Sequence, residues 1–426
     1  MENRRPHIFY TDGELTIRGI KLSDIASAYG TPLYITDLDR VIERYEEIAS
    51  SFKGVKINIA YAYKANSLLA ITRALAMRGS GATVVSSYGI KIAMISGVEN
   101  SKIVLDGPSK SDDDINEAIS SEIALINVES RDELDVINKI ASRHGKKAKI
   151  GIRVNLGLKA GAHPKIMTGG REHKFGVSER EAAKLFILAA KMESVKPVAL
   201  HSHIGSQINN LDVFKEEAAK LASIASKINK KGFEVPVLDL GGGLGVPYGE
   251  EKAISYREFA SAVIDVIKRA YEEEGMNMPE LVIEPGRYIV ADSTVLLMRV
   301  NYVKKLGRKK WILVDAGMND FIRPAMYGAR HEIAPVKPRE GNEIYSIGGP
   351  VCESSDVFAD GVKLPRVERG DLLALLDAGA YGISMASNYN IRPIPAVVVV
   401  SGGKVKLARK RDSLEHILAM EMQDSK

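Results

Sequence analysis

A regular alternation of strand-like and helix-like segments constrains this chain more than any other feature. Strand-like runs begin near Val55, Ala82, Ile103, Ile123, Ala148, Val198, Val235 and Leu281. Between them lie helix patterns, such as Ser67–Arg78 before Gly79, Arg131–His144 before Gly145 and Leu211–Lys231 before Gly232. A glycine at each end supplies the left-handed residue on which helices commonly stop. Asp37 caps an earlier helix whose residues Leu38, Val41, Ile42, Tyr45, Ile48 and Phe52 recur at helical spacing. Eight strands with helices between them, over about 250 residues, are the arithmetic of a (β/α)8 TIM barrel. A doubly wound open sheet is the competing α/β fold, and the strand count alone does not separate the two.

Beyond Pro285 the rhythm changes. Thr294–Val303, Trp311–Val314, Leu372–Leu376 and Ala396–Val400 are aliphatic or β-branched runs between Gly and Pro turns. Gly402-Gly403 suits a hairpin. Long helix patterns are missing until Leu414–Met422, and Ile8–Ile35 reads as short strands with one small helix. These patterns predict a barrel over residues 37–288 and a mainly β second domain built from 1–36 and 289–426. No Pro/Ser-rich linker divides the two, so close packing is expected.

A chain of 426 residues, 45% hydrophobic and 27% charged, is ample for two soluble domains. It has no membrane-spanning run, and Met1–Arg5 lacks the apolar core of a signal peptide. A single cysteine, Cys352, excludes internal disulfides and fits a cytoplasmic location. The net charge of +5 is modest, and the basic stretches Lys304–Lys310 and Arg409–Arg411 carry little aromatic interleaving. A nucleic-acid surface is therefore disfavoured against a bias toward anionic substrates.

In a barrel the chemistry sits at the C-terminal ends of the strands. The first strand delivers Lys64, within Tyr61-Ala62-Tyr63-Lys64-Ala65-Asn66. Partial desolvation there would favour a neutral amine able to attack a carbonyl, as a Schiff-base lysine must. The sixth delivers His201-Ser202-His203-Ile204-Gly205-Ser206-Gln207, the seventh Leu240-Gly241-Gly242-Gly243-Leu244-Gly245, the eighth Glu284-Pro285-Gly286-Arg287. Each has a plainer reading: a strand-end lysine, a satisfied histidine, a tight turn, a loop. Together they answer one chemical question. Gly241, Gly242 and Gly243 would expose successive amides to a dianion, with Gly205-Ser206 adding an amide and a hydroxyl. His203 can stack on a flat ring, and Glu284 can keep a ring nitrogen protonated. Phosphate, flat ring, ring nitrogen and aldehyde-capturing lysine describe pyridoxal 5'-phosphate (PLP). The set names no metal ligands.

These motifs resemble the signature of the diaminopimelate decarboxylase family, PLP enzymes of alanine-racemase-like barrel plus β-domain architecture. The resemblance continues through Asp315–Asp320, Phe321–Tyr327, Gly349–Asp356 and Ala378–Gly382, and so covers nearly the whole chain. It implies a homodimer in which Cys352 and Glu353 reach into the other subunit's site. It also implies that Tyr381 lies near the cofactor phosphate and the substrate. Two departures stand out: Thr83 and Gly89 occupy positions where the family usually carries acids, which touches the polar contacts beneath the ring. His173 stands where a small hydroxyl residue is common and reads as a rim variation.

Decarboxylation leaves an electron pair at Cα that needs a protonated ring nitrogen as sink, which Glu284 would maintain. The carbon must then be reprotonated. An ordinary thiol, titrating at about 8.5, remains a proton donor at neutral pH, and Cys352 is the only candidate thiol. Arg287 and Arg323, with the Tyr327 hydroxyl, suit the distal carboxylate of meso-diaminopimelate, and Glu353 its distal ammonium. The expected reaction is meso-diaminopimelate to L-lysine and CO2. The alternatives are decarboxylation of ornithine, arginine or carboxynorspermidine, or a non-catalytic PLP-binding barrel.

Overall fold

The computed structural model describes residues 4–158, 173–249, 253–419 and 421. Eight parallel strands close on themselves: β1 (Ile57–Ala62), β2 (Gly81–Val84), β3 (Ile103–Leu105), β4 (Leu125–Val128), β5 (Ala148–Asn155), β6 (Val195–His201), β7 (Val237–Asp239) and β8 (Glu280–Ile283). Closure is made by β8 against β1, with Leu281 opposite Ile57. That pairing excludes the open doubly wound sheet. The short strand Val177–Ser178 adds to the end of β5. Helices cover the outside, and the predicted stops hold: Leu69–Ala76, Arg131–Arg143 and Leu211–Asn229 end just before Gly79, Gly145 and Gly232, all at positive φ. The Asp37 carboxylate caps the helix Leu38–Ser51 by accepting the Arg40 N–H, and Val41, Tyr45 and Ile48 face the core.

The second domain is mainly β. Its sheet runs through Val357–Leu364, Glu343–Gly348, Lys309–Val314, Thr294–Leu306, Leu33–Asp37, Ala396–Ser401 and Lys404–Arg409. The strand Leu33–Asp37 lies between Thr294–Leu306 and Ala396–Ser401, so the N-terminal segment does join this domain. The first three strands differ from that expectation: they form a separate three-stranded antiparallel sheet. Three strands escaped the sequence pattern: Ile333–Pro335, Glu343–Gly348 and Val357–Leu364. Val357–Leu364 buries only Phe358 and Leu364 fully, which weakens the apolar signal. Gly402 and Gly403, both at positive φ, turn the predicted hairpin. The last helix spans Leu414–Leu418, and Met422 lies outside the described residues.

The domains meet across the barrel rim. Tyr381 N–H donates to Ala65 O (2.8 Å), and Asn66 Nδ2 donates to Gly379 O (3.0 Å). A Cβ at Gly379 would come within 1.7 Å of Val290 O, so only glycine permits this approach. The loop after β1 and the loop carrying Tyr381 are thereby fixed to each other.

Candidate active site

Hydrogen bonds beyond the strand ends build the rim. Ala62 N–H donates to Pro285 O (2.9 Å), Ser202 N–H to Asp239 O (2.9 Å) and Glu284 N–H to Gly241 O (2.6 Å). The loops after β1, β6, β7 and β8 thus become one surface. Its pocket is lined by Lys64, His203, Ser206, Gly243, Glu284, Pro285, Gly286, Arg287 and Tyr381, among others.

Lys64 differs from its expectation in one respect: its side chain is exposed. Two residues past the end of β1 the chain has left the apolar barrel and faces the open cleft. Its charge still acts on Asp106 and His203.

The amide nest is also smaller than expected. Gly241 N–H donates to Asp239 Oδ1 (2.9 Å), and Gly242 N–H donates to His203 Nδ1 (3.2 Å). Among the described residues no acceptor takes the Gly243 N–H. Gly243 sits at φ +111, and a Cβ there would lie 2.1 Å from Gly205 O. Glycine is therefore obligatory, and one free amide remains for a ligand. His203 is held neutral: burial first, then Lys64, Arg153 and His201, lower its pKa well below the ordinary value.

Beneath this layer lies a buried polar floor of which sequence reasoning assigned only Glu284. His201 sits with Nε2 3.7 Å from Glu284 Oε2 and Nδ1 4.0 Å from Asp106 Oδ1. Burial opposes charge on this imidazole, but Asp106, Asp239 and Glu284 outweigh it and raise its pKa to about 9. Asp106, His201 and Glu284 bring ligand atoms within 4.8 Å of one another, a spacing that a cation could bridge. A protonated imidazole has no lone pair to coordinate one, so charge pairing accounts for the cluster better. Glu284 Oε1 is buried without a hydrogen-bond partner, a polar atom awaiting a donor. Asp106 and Asp239, like Lys64 and Glu284, stand at the C-terminal ends of strands, and that position was the signal available for them.

The acids missing at positions 83 and 89 have no space reserved. Thr83 Oγ1 donates to Ala60 O (3.4 Å), and a Cβ on Gly89 would approach Val84 Cβ to 2.7 Å. His173 is half-buried near Phe175, whose ring lies 4.7 Å from Arg153 Cζ.

Arg287 and Arg323 are both buried, at 5% and 6% exposure, and neither forms an ion pair among the described residues. Arg287 Nη1 donates to Tyr248 OH (2.7 Å) and Nη2 to Ser206 Oγ (3.1 Å). Its Cζ lies 4.8 Å from the Tyr381 ring, and Arg323 Cζ lies 5.2 Å from the Tyr248 ring. Tyr381 holds φ +55, a left-handed value uncommon for an aromatic residue, in the loop that bonds to Ala65. Tyr327 is half-buried at the end of the short helix that begins at Arg323. Tyr248 was not foreseen, because nothing in Val246-Pro247-Tyr248 marks it out.

Cys352 and Glu353 do not line this pocket. Both are exposed on the β domain. Cys352 N–H donates to Asn390 Oδ1 (2.9 Å), and Glu353 accepts from Tyr389 OH (2.7 Å). The loop is anchored by Asp356, whose carboxylate accepts the N–H groups of Met318 (2.6 Å) and Val351 (2.7 Å).

The pyridoxal binding domain of the pyridoxal-dependent decarboxylases matches residues 38–291. The diaminopimelate decarboxylase of Aquifex aeolicus is 40% identical over 420 residues, 98% of each chain. The chain belongs to the diaminopimelate decarboxylase family. Among solved members, the Methanocaldococcus jannaschii enzyme in complex with L-lysine is 39% identical, with a TM-score of 0.94 and 98% of each chain covered. The Helicobacter pylori enzyme in complex with L-lysine is 40% identical, with a TM-score of 0.90, covering 94% of this chain and 98% of the other. The family's cofactor is PLP, and the pocket fits it. A primary amine, a neutral imidazole, a buried carboxylate oxygen without a donor and a free glycine amide converge there. Among the described residues no helix is long and apolar enough to cross a membrane.

Proposed function

We propose that this protein decarboxylates meso-2,6-diaminopimelate to L-lysine and CO2, the final step of lysine biosynthesis, in the cytoplasm. One observation carries the choice of substrate: two buried arginines, Arg287 in the Lys64 pocket and Arg323 against the Tyr248 ring that Arg287 also bonds, have no carboxylate partner among the described residues. Leaving a buried charge unpaired is costly unless a ligand neutralises it. A substrate carrying a distal carboxylate does so, whereas ornithine and arginine have none. A barrel that merely stored PLP would have no use for these arginines or for the β domain. The test is a substrate panel on the purified protein with PLP. CO2 release from meso-diaminopimelate, and not from ornithine or arginine, is expected; PLP binding without CO2 from any of them would reject the reading.

In the proposed division of labour, the Lys64 amine would hold the cofactor through its aldehyde. His203 would stack on the ring face, and Glu284 Oε1 would accept the N–H of the ring nitrogen and keep it protonated. Ser206, the Gly241–Gly243 turn with its free Gly243 amide, and the Pro285-Gly286-Arg287 loop with Tyr381 hold the phosphate. PLP, when bound, supplies the electron sink for the pair left at Cα as CO2 departs. Arg323, Tyr327 and Arg287 orient the distal carboxylate, so the scissile bond is presented in one pose. The Cys352 thiol returns a proton to Cα, and Glu353 pairs with the distal ammonium.

Cys352 and Glu353 are exposed and absent from their own chain's pocket. This supports a homodimer in which they complete the partner's site, as an isologous interface permits. Mixing Lys64→Ala with Cys352→Ala chains under subunit exchange should restore about half the wild-type activity per mixed dimer. No recovery despite proven exchange would reject the shared site.

A further inference from the structure

We infer that His331 is a specificity-positioning residue, an acceptor that fixes Arg323 so that its fork is presented to a distal carboxylate. This rests on the proposed substrate and goes beyond it, because His331 acts only through Arg323.

His331 is buried at 7% exposure, and both ring nitrogens are engaged. Nδ1 lies 3.0 Å from Leu376 O, an acceptor only, so the proton sits on Nδ1. Nε2 is then a lone pair, and Arg323 Nε–H donates to it (3.4 Å). That bond uses the one guanidinium N–H that points away from the fork. The two terminal nitrogens are left with no protein acceptor among the described residues. Aromatic contacts fix the imidazole from two directions: its centroid lies 4.7 Å from that of Tyr248 and 4.8 Å from that of Phe321. Tyr248 is the same ring that Arg323 stacks on.

The charged surroundings agree with a neutral ring. Burial first, then Arg323, Arg287 and Arg5 against the Leu376 hydrogen bond, bring the His331 pKa down to about 3. Arg5 is itself neutralised by Asp377 and Glu332, whereas Arg287 and Arg323 are not. A carboxylate at this position would pair with Arg323 and pull it out of the pocket's service. A neutral acceptor orients the guanidinium and leaves its charge available.

The experiment compares two ligands that differ only in this carboxylate. L-lysine and 1,5-diaminopentane share the terminal amine, and only lysine carries the group that Arg323 is proposed to hold. Their affinities for the full-length PLP-loaded protein are measured by calorimetry in wild type, His331→Asn and His331→Gln. Asparagine places its amide near Nδ1, keeping the Leu376 bond and losing the acceptor for Arg323. Glutamine reaches the Nε2 position and keeps that acceptor. Wild type should prefer lysine. The preference should fall about ten-fold in His331→Asn and stay within about three-fold of wild type in His331→Gln. Affinity for diaminopentane should be the same in all three. Equal loss in both variants, or no loss in His331→Asn, would overturn the positioning role. A wild-type protein with no preference for lysine would instead overturn the substrate reading itself. If His331→Asn does not fold, His331→Gln still decides: a ten-fold loss there contradicts the proposal.

Discussion

Two regions of this molecule hold arginines largely out of solvent, and they treat the charge in opposite ways. At the seam where the N-terminal segment meets the barrel, Arg5 Nε donates to Asp377 (2.7 Å), and Arg44 and Arg40 converge on Asp292 at 2.6 and 2.8 Å. At the rim, Arg287 and Arg323 touch hydroxyls, rings and a neutral imidazole, with no carboxylate among the described residues. The histidines are set by their own neighbours and not by this division. His7 at the seam is driven neutral, to about 4, by burial ahead of the opposing Asp292, while His201 beneath the rim is pushed up to about 9. Satisfied charge marks the parts that hold the chain together. Unsatisfied charge marks the parts that meet a ligand.

The largest effect should come from the rim amine. Lys64→Ala should lower turnover by roughly 10^4-fold or more, the scale seen when a covalent-catalysis group is lost, with folding unchanged. Borohydride reduction and peptide mapping of wild type should find the pyridoxyl group on Lys64; label on a different lysine would remove that assignment. Next comes Glu284→Gln, which should lower kcat by about 10^2 to 10^3-fold because an amide cannot stabilise the protonated ring nitrogen. A change confined to KM would withdraw the role.

The seam should respond in stability and not in catalysis. Asp377→Asn leaves Arg5 buried beside a neutral amide and should cost about 3 kcal/mol in denaturant unfolding. The lysine-over-diaminopentane preference should not move. An altered preference with intact stability would erase the distinction between seam and rim.

Smallest are the pH effects on stability. The folded pKa of His7 lies below the ordinary 6.5, so the unfolded chain takes up the proton first. Its contribution is complete above pH 6.5 and is lost at about 1.4 kcal/mol per pH unit as the pH falls toward 4. His201 has the opposite sign: its contribution is complete below pH 6.5 and is lost as the pH rises through about 9. In the protein without cofactor, His7→Asn should flatten the acid limb of stability against pH and His201→Asn the alkaline limb. Unchanged limbs would show that other groups set them.

Sequence made the rim legible because a barrel converts strand order into spatial order. Lys64, His203, Gly243, Glu284 and Arg287 are scattered over more than half the chain, yet each follows a strand, and all line one pocket. The nest was misjudged because hydrogen bonding depends on neighbours: Asp239 and His203 occupy the Gly241 and Gly242 amides, and spacing does not reveal that. Lys64 was expected to be desolvated, but exposure depends on where the cleft opens. Tyr248 and His331 were invisible for a further reason. They stand in irregular loops without periodicity, and only tertiary packing makes them neighbours of Arg323. The exposed position of Cys352 is likewise a property of surfaces, which the order of residues along a strand does not encode.

If the rim arginines are kept unpaired for the substrate, removing one of their charges should cost activity and not stability. Arg323→Met tests it most directly, because methionine keeps much of the length and removes the charge. Thermal unfolding and meso-diaminopimelate kinetics are measured on the same preparation. The expected result is a Tm equal to or above that of wild type, since a buried unpaired charge is gone, and a fall in kcat/KM of about 100-fold. A lower Tm with kcat/KM unchanged would contradict it, and would place Arg323 with the seam arginines as part of the structure alone.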